Sequence, residues 1–135
     1  MPHGKRCVVP LQDADTGTLP VGGGGGRYRI LLDEAIAGAK NYALMHNEMA
    51  PGAMGGEHQH DEEQCFYILR GRGRFTIGGV PYEAGPETAV FLPARIPHRV
   101  ESIGAETMSY LTLFAPGGPE RDLRTRGYQA FGHKG

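Results

Sequence analysis

Between Gly56 and Cys65 the chain reads GEHQHDEEQC: two histidines two residues apart, three acids, then a glutamine. In an extended segment residues i and i+2 share a face, with Cα atoms about 6.6 Å apart, so the imidazoles of His58 and His60 can converge on one cation. On a helix two residues turn the chain by about 200°, and the same pair would diverge. His-x-His is therefore a chelate of the strand type, unlike the helical pair spaced by four. A third histidine, His98, stands in FLPARIPHRVES, directly after a proline and ahead of an alternating run. A strand beginning there and pairing with one that starts near Gln64 would bring His98 to the same ion. His3 and His133 read as tail residues, and His46 suits either a pocket or the surface.

The elements that must position these groups read as β-structure. The chain has 135 residues, 22 of them glycine and 10 proline, with 39% apolar content. That mixture fits one domain of many short strands joined by turns better than a helix bundle. The runs QCFYIL, RFTI, VPYE, TAVFL, HRVES and MSYLTLF are separated by glycine-bearing turns, the pattern of an all-β sandwich or barrel. Val8 and Val9 suggest a short N-terminal strand. The five glycines Gly22 to Gly26 read as a flexible connector, or as a loop shaping a pocket mouth. In DEAIAGAKNYALMHNEMAPG helix propensity runs from Glu34 to Met49, with Asp33 as cap, but Gly38 and Asn41 interrupt it. The reading is a short turn or helical piece followed by a strand from about Asn41 to Met49. After Pro116 alternation is lost, and residues 117–135 read as a tail that wraps over the domain or a partner. The resulting division is an N-terminal arm 1–26, a barrel core of about 27–116, and that tail, all within one domain spanning 1–135.

Several function classes are excluded. A formal charge of −1 does not mark a nucleic-acid binder, and Arg70, Arg72 and Arg74 read as a solvated edge. No apolar run approaches the ~18 residues needed to cross a bilayer. The N-terminal stretch lacks the pattern of a signal peptide, which leads to an expected cytoplasmic location. Cys7 and Cys65 are expected to be free thiols.

PGAMGGEHQHDEEQCFYILRG resembles the first sequence motif of the cupin superfamily, a glycine followed by His-x-His, a glutamate and a second glycine. Gly52, His58, His60 and Gly71 fall in register, and Gln64 occupies the glutamate position. GPETAVFLPARIPHRVES resembles the second motif: Gly85, Pro93 and His98 match, while Arg95 stands where glycine is usual and Ser102 where asparagine is usual. The resemblance implies an all-β, single-domain jelly-roll barrel holding one divalent metal ion, Fe, Mn, Zn or Ni, through His58, His60, Gln64 and His98. Polyketide cyclases and uronate-linearising cupins are similar in having glutamine there. The other reading leaves Gln64 as a hydrogen-bonding residue and gives the fourth position to Glu62 or Glu63.

Three imidazoles and an amide are all neutral, so they leave the ion's full charge uncompensated and should favour an anionic or carbonyl-containing small molecule bound to it. Alternation from Gln64 and His98 turns Phe66, Ile68 and Val100 inward. Tyr110, Thr112 and Phe114 share a face of the last strand. These residues line a pocket or simply pack the core, and Tyr110 is a candidate proton donor. The expected function is a metal-dependent enzyme acting on a small keto, enol or carboxylate compound, as a dioxygenase, isomerase/cyclase or decarboxylase. The alternative is a non-catalytic module that binds or senses a small molecule or metal. Small cupins often pair, so a homodimer is expected by analogy.

Overall fold

The computed structural model describes residues 5–132; His3 and His133 lie outside that range. In chain order it contains β1 (Asp15–Thr18), β2 (Val21–Gly22), β3 (Gly26–Leu32), α1 (Glu34–Ala37), β4 (Ala43–Met49), β5 (Met54–Gly55) and β6 (Glu63–Arg70). There follow β7 (Gly73–Ile77), β8 (Val80–Ala84), β9 (Ala89–Leu92), β10 (His98–Ser102), β11 (Met108–Ala115) and α2 (Pro119–Arg126). One sheet runs β1-β3-β4-β11-β6-β9 and the other β2-β5-β10-β7-β8, with every pairing antiparallel. The two sheets make the jelly roll.

Alternation decides what lies between the sheets. In β4 every second residue from Ala43 to Met49 is buried, in β6 Gln64, Phe66 and Ile68, and in β11 Met108, Tyr110, Thr112 and Phe114. Phe75 of β7 meets them from the opposite sheet, its ring 5.3 Å from that of Phe66. The helix-prone stretch after Asp33 divides as expected. Asp33 caps the short α1 by accepting from the Ile36 N–H at 3.0 Å, and Gly38 closes it in the left-handed region at φ 77°. Beyond that, pairing on both sides with β3 and β11 holds β4 extended, which overrides helix propensity.

Three expectations are corrected. Val8 and Val9 form no strand, and Val8 is 82% exposed. The first strand is instead Asp15–Thr18, which shows no apolar alternation because it is an edge strand held to β3 through its backbone. The glycine run is not a loose connector. Val21 and Gly22 pair with β5, Gly23 to Gly25 turn the chain at positive φ, and Gly26 begins β3. A Cβ on Gly26 would sit 2.7 Å from Leu19 Cβ, so only glycine fits. Residues assigned to an N-terminal arm therefore supply a strand to each sheet.

The C-terminal stretch folds back as α2, opened by Pro119 and sealed by Leu123, which is 1% exposed. Its anchor is Arg124, whose Nη1 donates to Asp33 Oδ2 at 2.8 Å while Nη2 reaches Asp15 Oδ2 at 3.0 Å. Burial opposes ionisation of Asp33, but hydrogen bonds from Arg124, Glu120 and the Ile36 N–H outweigh it and hold its carboxyl below the ordinary value. Burial and the neighbouring Asp33 carboxyl push Glu120 up. The outward arginines of β6 and β7 make ion pairs at the rim, Arg70 with Glu106 and Arg74 with Glu83 and Glu101.

Because Asp33 has a lowered folded pKa, its stabilisation is present above its unfolded pKa and is lost as pH falls through the folded one. Arg124→Met should cost about 3 kcal/mol at pH 7, since it strands a buried carboxylate. Urea unfolding should show this gap closing as the pH drops through the acid range.

Candidate metal centre

His58 and His98 face each other across an isolated antiparallel bridge: the His58 N–H donates to the His98 carbonyl at 3.0 Å, and the His98 N–H returns the bond at 2.9 Å. A further bond, from the Arg95 N–H to the His60 carbonyl at 2.7 Å, zips the same two loops together. Arg95 sits at φ 61°, in the left-handed region where glycine carries no penalty. That explains why the second motif usually has glycine there.

The zipper, and not the expected pairing of the His98 strand with the one that starts near Gln64, brings the three imidazoles together: β10 pairs with β5 and β7, while β6 lies in the other sheet. Ring centroids lie 4.5 Å apart for His58 and His98, 5.0 Å for His60 and His98, and 5.9 Å for His58 and His60. One ring nitrogen of each lies within 4.8 Å of the others. Each Nδ1 is engaged by a backbone carbonyl: Gly56 for His58 at 3.0 Å, Glu62 for His60 at 2.9 Å, and Ile96 for His98 at 2.9 Å. A carbonyl only accepts, so each Nδ1 carries the proton and each Nε2 keeps a bare lone pair, the tautomer a metal ligand needs.

Burial disfavours charge on His98 and His58. It pushes His98 down to about 4, assisted by His58 and His60 and opposed by the bond to Ile96. It also lowers His58, against the bond to Gly56. His98 Nε2 is buried with no hydrogen-bond partner. A neutral imidazole whose lone pair is orphaned inside a cluster of others is satisfied by a cation, so the residues present fit a metal ion.

Gln64 reaches the cluster from the other sheet, with Oε1 3.0 Å from His60 Nε2. Both atoms are acceptors when Nδ1 holds the ring proton. The contact is favourable only with the amide turned to present its NH2, or with a cation between the two. Glu62 lies on the opposite side of His60, its Oε1 3.7 Å from Nδ1, and Glu63 is exposed. Neither carboxylate faces the Nε2 side.

Beside the histidines lies a cavity of about 70 Å³. Phe66, Val100, Tyr110 and Phe114 line it, together with Gln64, His58 and His98. Ile68 and Thr112, read as pocket residues, do not: Ile68 is fully buried in the core, and the Thr112 hydroxyl accepts from Asn47 Nδ2 at 3.3 Å. Burial pushes the Tyr110 phenol upward, and its hydroxyl donates to Met49 Sδ at 3.3 Å. His46 points away on the outer face of β4, with its Nδ1 3.5 Å from Arg29 Nη1.

Sequence reasoning missed Met45, Asn47 and Met49, which the inward alternation of β4 would have found, and Val21, Leu123 and Phe131. The Phe131 ring stacks on His58 at 5.0 Å with planes 6° apart. No local pattern announces that contact, since it joins residues 73 positions apart.

The sequence profile of the cupin domain family matches residues 45–114. The uncharacterized protein MJ1618 of Methanocaldococcus jannaschii is 32% identical over 85 residues, 63% of this chain and 59% of that protein, so the match spans well under two thirds of its length. The dimethylsulfoniopropionate lyase DddW of Ruegeria pomeroyi is 28% identical over 119 residues, 85% of this chain and 75% of that protein. Among solved structures, the polyketide cyclase RemF of Streptomyces resistomycificus superposes with a TM-score of 0.70 at 20% identity, covering 93% of this chain and 98% of that one.

Long-range 1H–15N correlation spectra of metal-free protein at neutral pH should show all three rings in the Nδ1–H form. A dominant Nε2–H tautomer at His98 would contradict the geometry.

Proposed function

The chain belongs to the cupin family, and on that premise we propose that it is a metalloenzyme acting on a small carboxylate or enolisable carbonyl compound. The observation that carries the reading is the buried, partnerless His98 Nε2 set among imidazoles whose Nδ1 atoms are all pinned. His58, His60 and His98 would hold one divalent ion, with Gln64 Oε1 as the fourth donor. These donors suit Fe, Mn, Zn or Ni alike. When bound, the ion supplies Lewis-acid polarisation of a carbonyl or carboxylate oxygen.

The chain's own residues supply the rest. All four donors are neutral, and none of the residues lining the cavity is an acid, lysine or arginine. The ion's charge is therefore balanced by an anionic ligand rather than by the protein. The walls exclude water and accept an apolar tail. Tyr110 keeps its proton because burial raises its pKa, and a thioether is a weak acceptor. Its O–H is thus available to turn towards a ligand oxygen and deliver a proton there. Lyase and cyclase activities, named for DddW and RemF, both suit such a site, as do dioxygenase, isomerase and decarboxylase chemistry.

Metal analysis should find about one ion per chain, and His98→Ala should abolish it; equal metal in both proteins would overturn the ligand assignment. Gln64→Glu should keep the ion yet weaken carboxylate binding by about tenfold, because one unit of positive charge is cancelled at the centre. Turnover by the loaded protein, tested with dimethylsulfoniopropionate and a panel of keto and enol acids, should fall sharply in Tyr110→Phe. No turnover on any of them, with metal and carboxylate binding intact, would favour the binding-module reading.

The same reading includes a homodimer. On the outer face of the six-stranded sheet, Tyr67, Leu69 and Phe91 are 42%, 39% and 56% exposed, and Cys65 lies opposite Phe91. A second copy covering this stripe would remove it from water. Sedimentation should give a dimer that Phe91→Glu converts to monomer; a wild-type monomer at micromolar concentration would refute this.

A further inference from the structure

The cavity beside the histidines and a groove on the surface share two walls. His58 and Phe131 line the inner cavity and also an outer groove, whose other walls include Gln59, Glu62, Asp122 and Arg126. A ligand travelling from groove to cavity passes the stacked rings of Phe131 and His58.

The attachment of Phe131 suits a moving part. It sits at φ 58°, ψ 27°, a left-handed conformation that a bulky residue adopts only when its surroundings compel it. Its N–H donates to Asp122 Oδ2 at 2.7 Å. Asp122 belongs to α2, which is secured independently by the buried Leu123 and by Arg124 on Asp33. Release of Phe131 to an ordinary backbone conformation would lift its ring from His58 without undocking the helix.

We propose that Phe131 is the gate and size filter of this site, and that Asp122 is the positioning residue that holds it closed. The inference rests on the reading of a small acid bound at the three-histidine centre. With the Phe131 ring in place, a space of about 70 Å³ suits a few ordered waters or a short carboxylic acid better than a long one. The filter therefore selects short-chain carboxylates.

The test uses Co(II)-loaded full-length protein and the straight-chain series from acetate to hexanoate, with perturbation of the visible cobalt spectrum as the readout. Wild type should bind acetate and propionate and lose affinity about tenfold or more by hexanoate, because extra methylenes overfill a closed cavity. Phe131→Ala should flatten that profile while leaving cobalt affinity unchanged. Asp122→Ala, which keeps the ring but frees it, should flatten the profile in the same direction, and Asp122→Asn, which keeps the acceptor, should not. A chain-length profile identical in wild type, Phe131→Ala and Asp122→Ala overturns the gate and leaves the metal and anion reading standing. No spectral response to any carboxylate in wild type or variants overturns the anion reading and the gate with it.

Discussion

Everything at the centre depends on the backbone zipper between the loop carrying His58 and His60 and the start of β10. Its mutual His58–His98 bonds and the Arg95–His60 bond set where three imidazoles stand before any side chain chooses a rotamer. Carbonyls of the same two loops, from Gly56, Glu62 and Ile96, then choose the tautomer. The position and the tautomer of the imidazoles thus come from one piece of irregular backbone. That backbone is rigid because the five-stranded sheet continues it on one side, through β10 paired with β7 and β5.

On the proposed reading the electrostatics follow from the donor types. A glutamate at position 64 would neutralise part of a divalent charge, whereas glutamine would offer an oxygen of similar reach and leave the charge in place. The cavity beside it contributes methionines, phenylalanines, one asparagine and one tyrosine. Low polarity there strengthens any interaction between an ion and an anionic ligand, and it also disfavours charge on His58 and His98.

Two residues hold left-handed backbone beside this site at some conformational cost, Arg95 and Phe131. Arg95 is compensated by the bond its N–H makes to the His60 carbonyl, and Phe131 by a carboxylate on a well-anchored helix. The anchor is itself ionic, with Arg124 between Asp33 and Asp15, so the C-terminal helix closes against the first strand of the chain. The stacking of Phe131 on His58 is thereby linked to the packing of the C-terminal helix against the first strand.

Much of this was legible in the residues. Period-two alternation and glycine punctuation announced β6, β7, β10 and β11 at nearly their observed bounds, because inward and outward positions differ in chemistry on a half-buried strand. The types of His58, His60 and His98 marked them out together, but the reason they meet is not the strand alternation that was expected: residues 56–62 form no strand, and backbone bonds between His58 and His98 join the two loops. Edge strand β1 was silent, since backbone pairing at an edge asks nothing of side chains. The glycine run misled, because glycine serves a tight turn as readily as a loose link. The inward faces of Ile68 and Thr112 were readable, but whether they met a cavity or the core was not. Only the tertiary structure decided that, along with the placement of Glu62 away from the Nε2 side and of Phe131 over His58. A local pattern fixes the direction a side chain leaves its own strand; what it meets there is set by elements far off in the chain, through packing that no short stretch encodes.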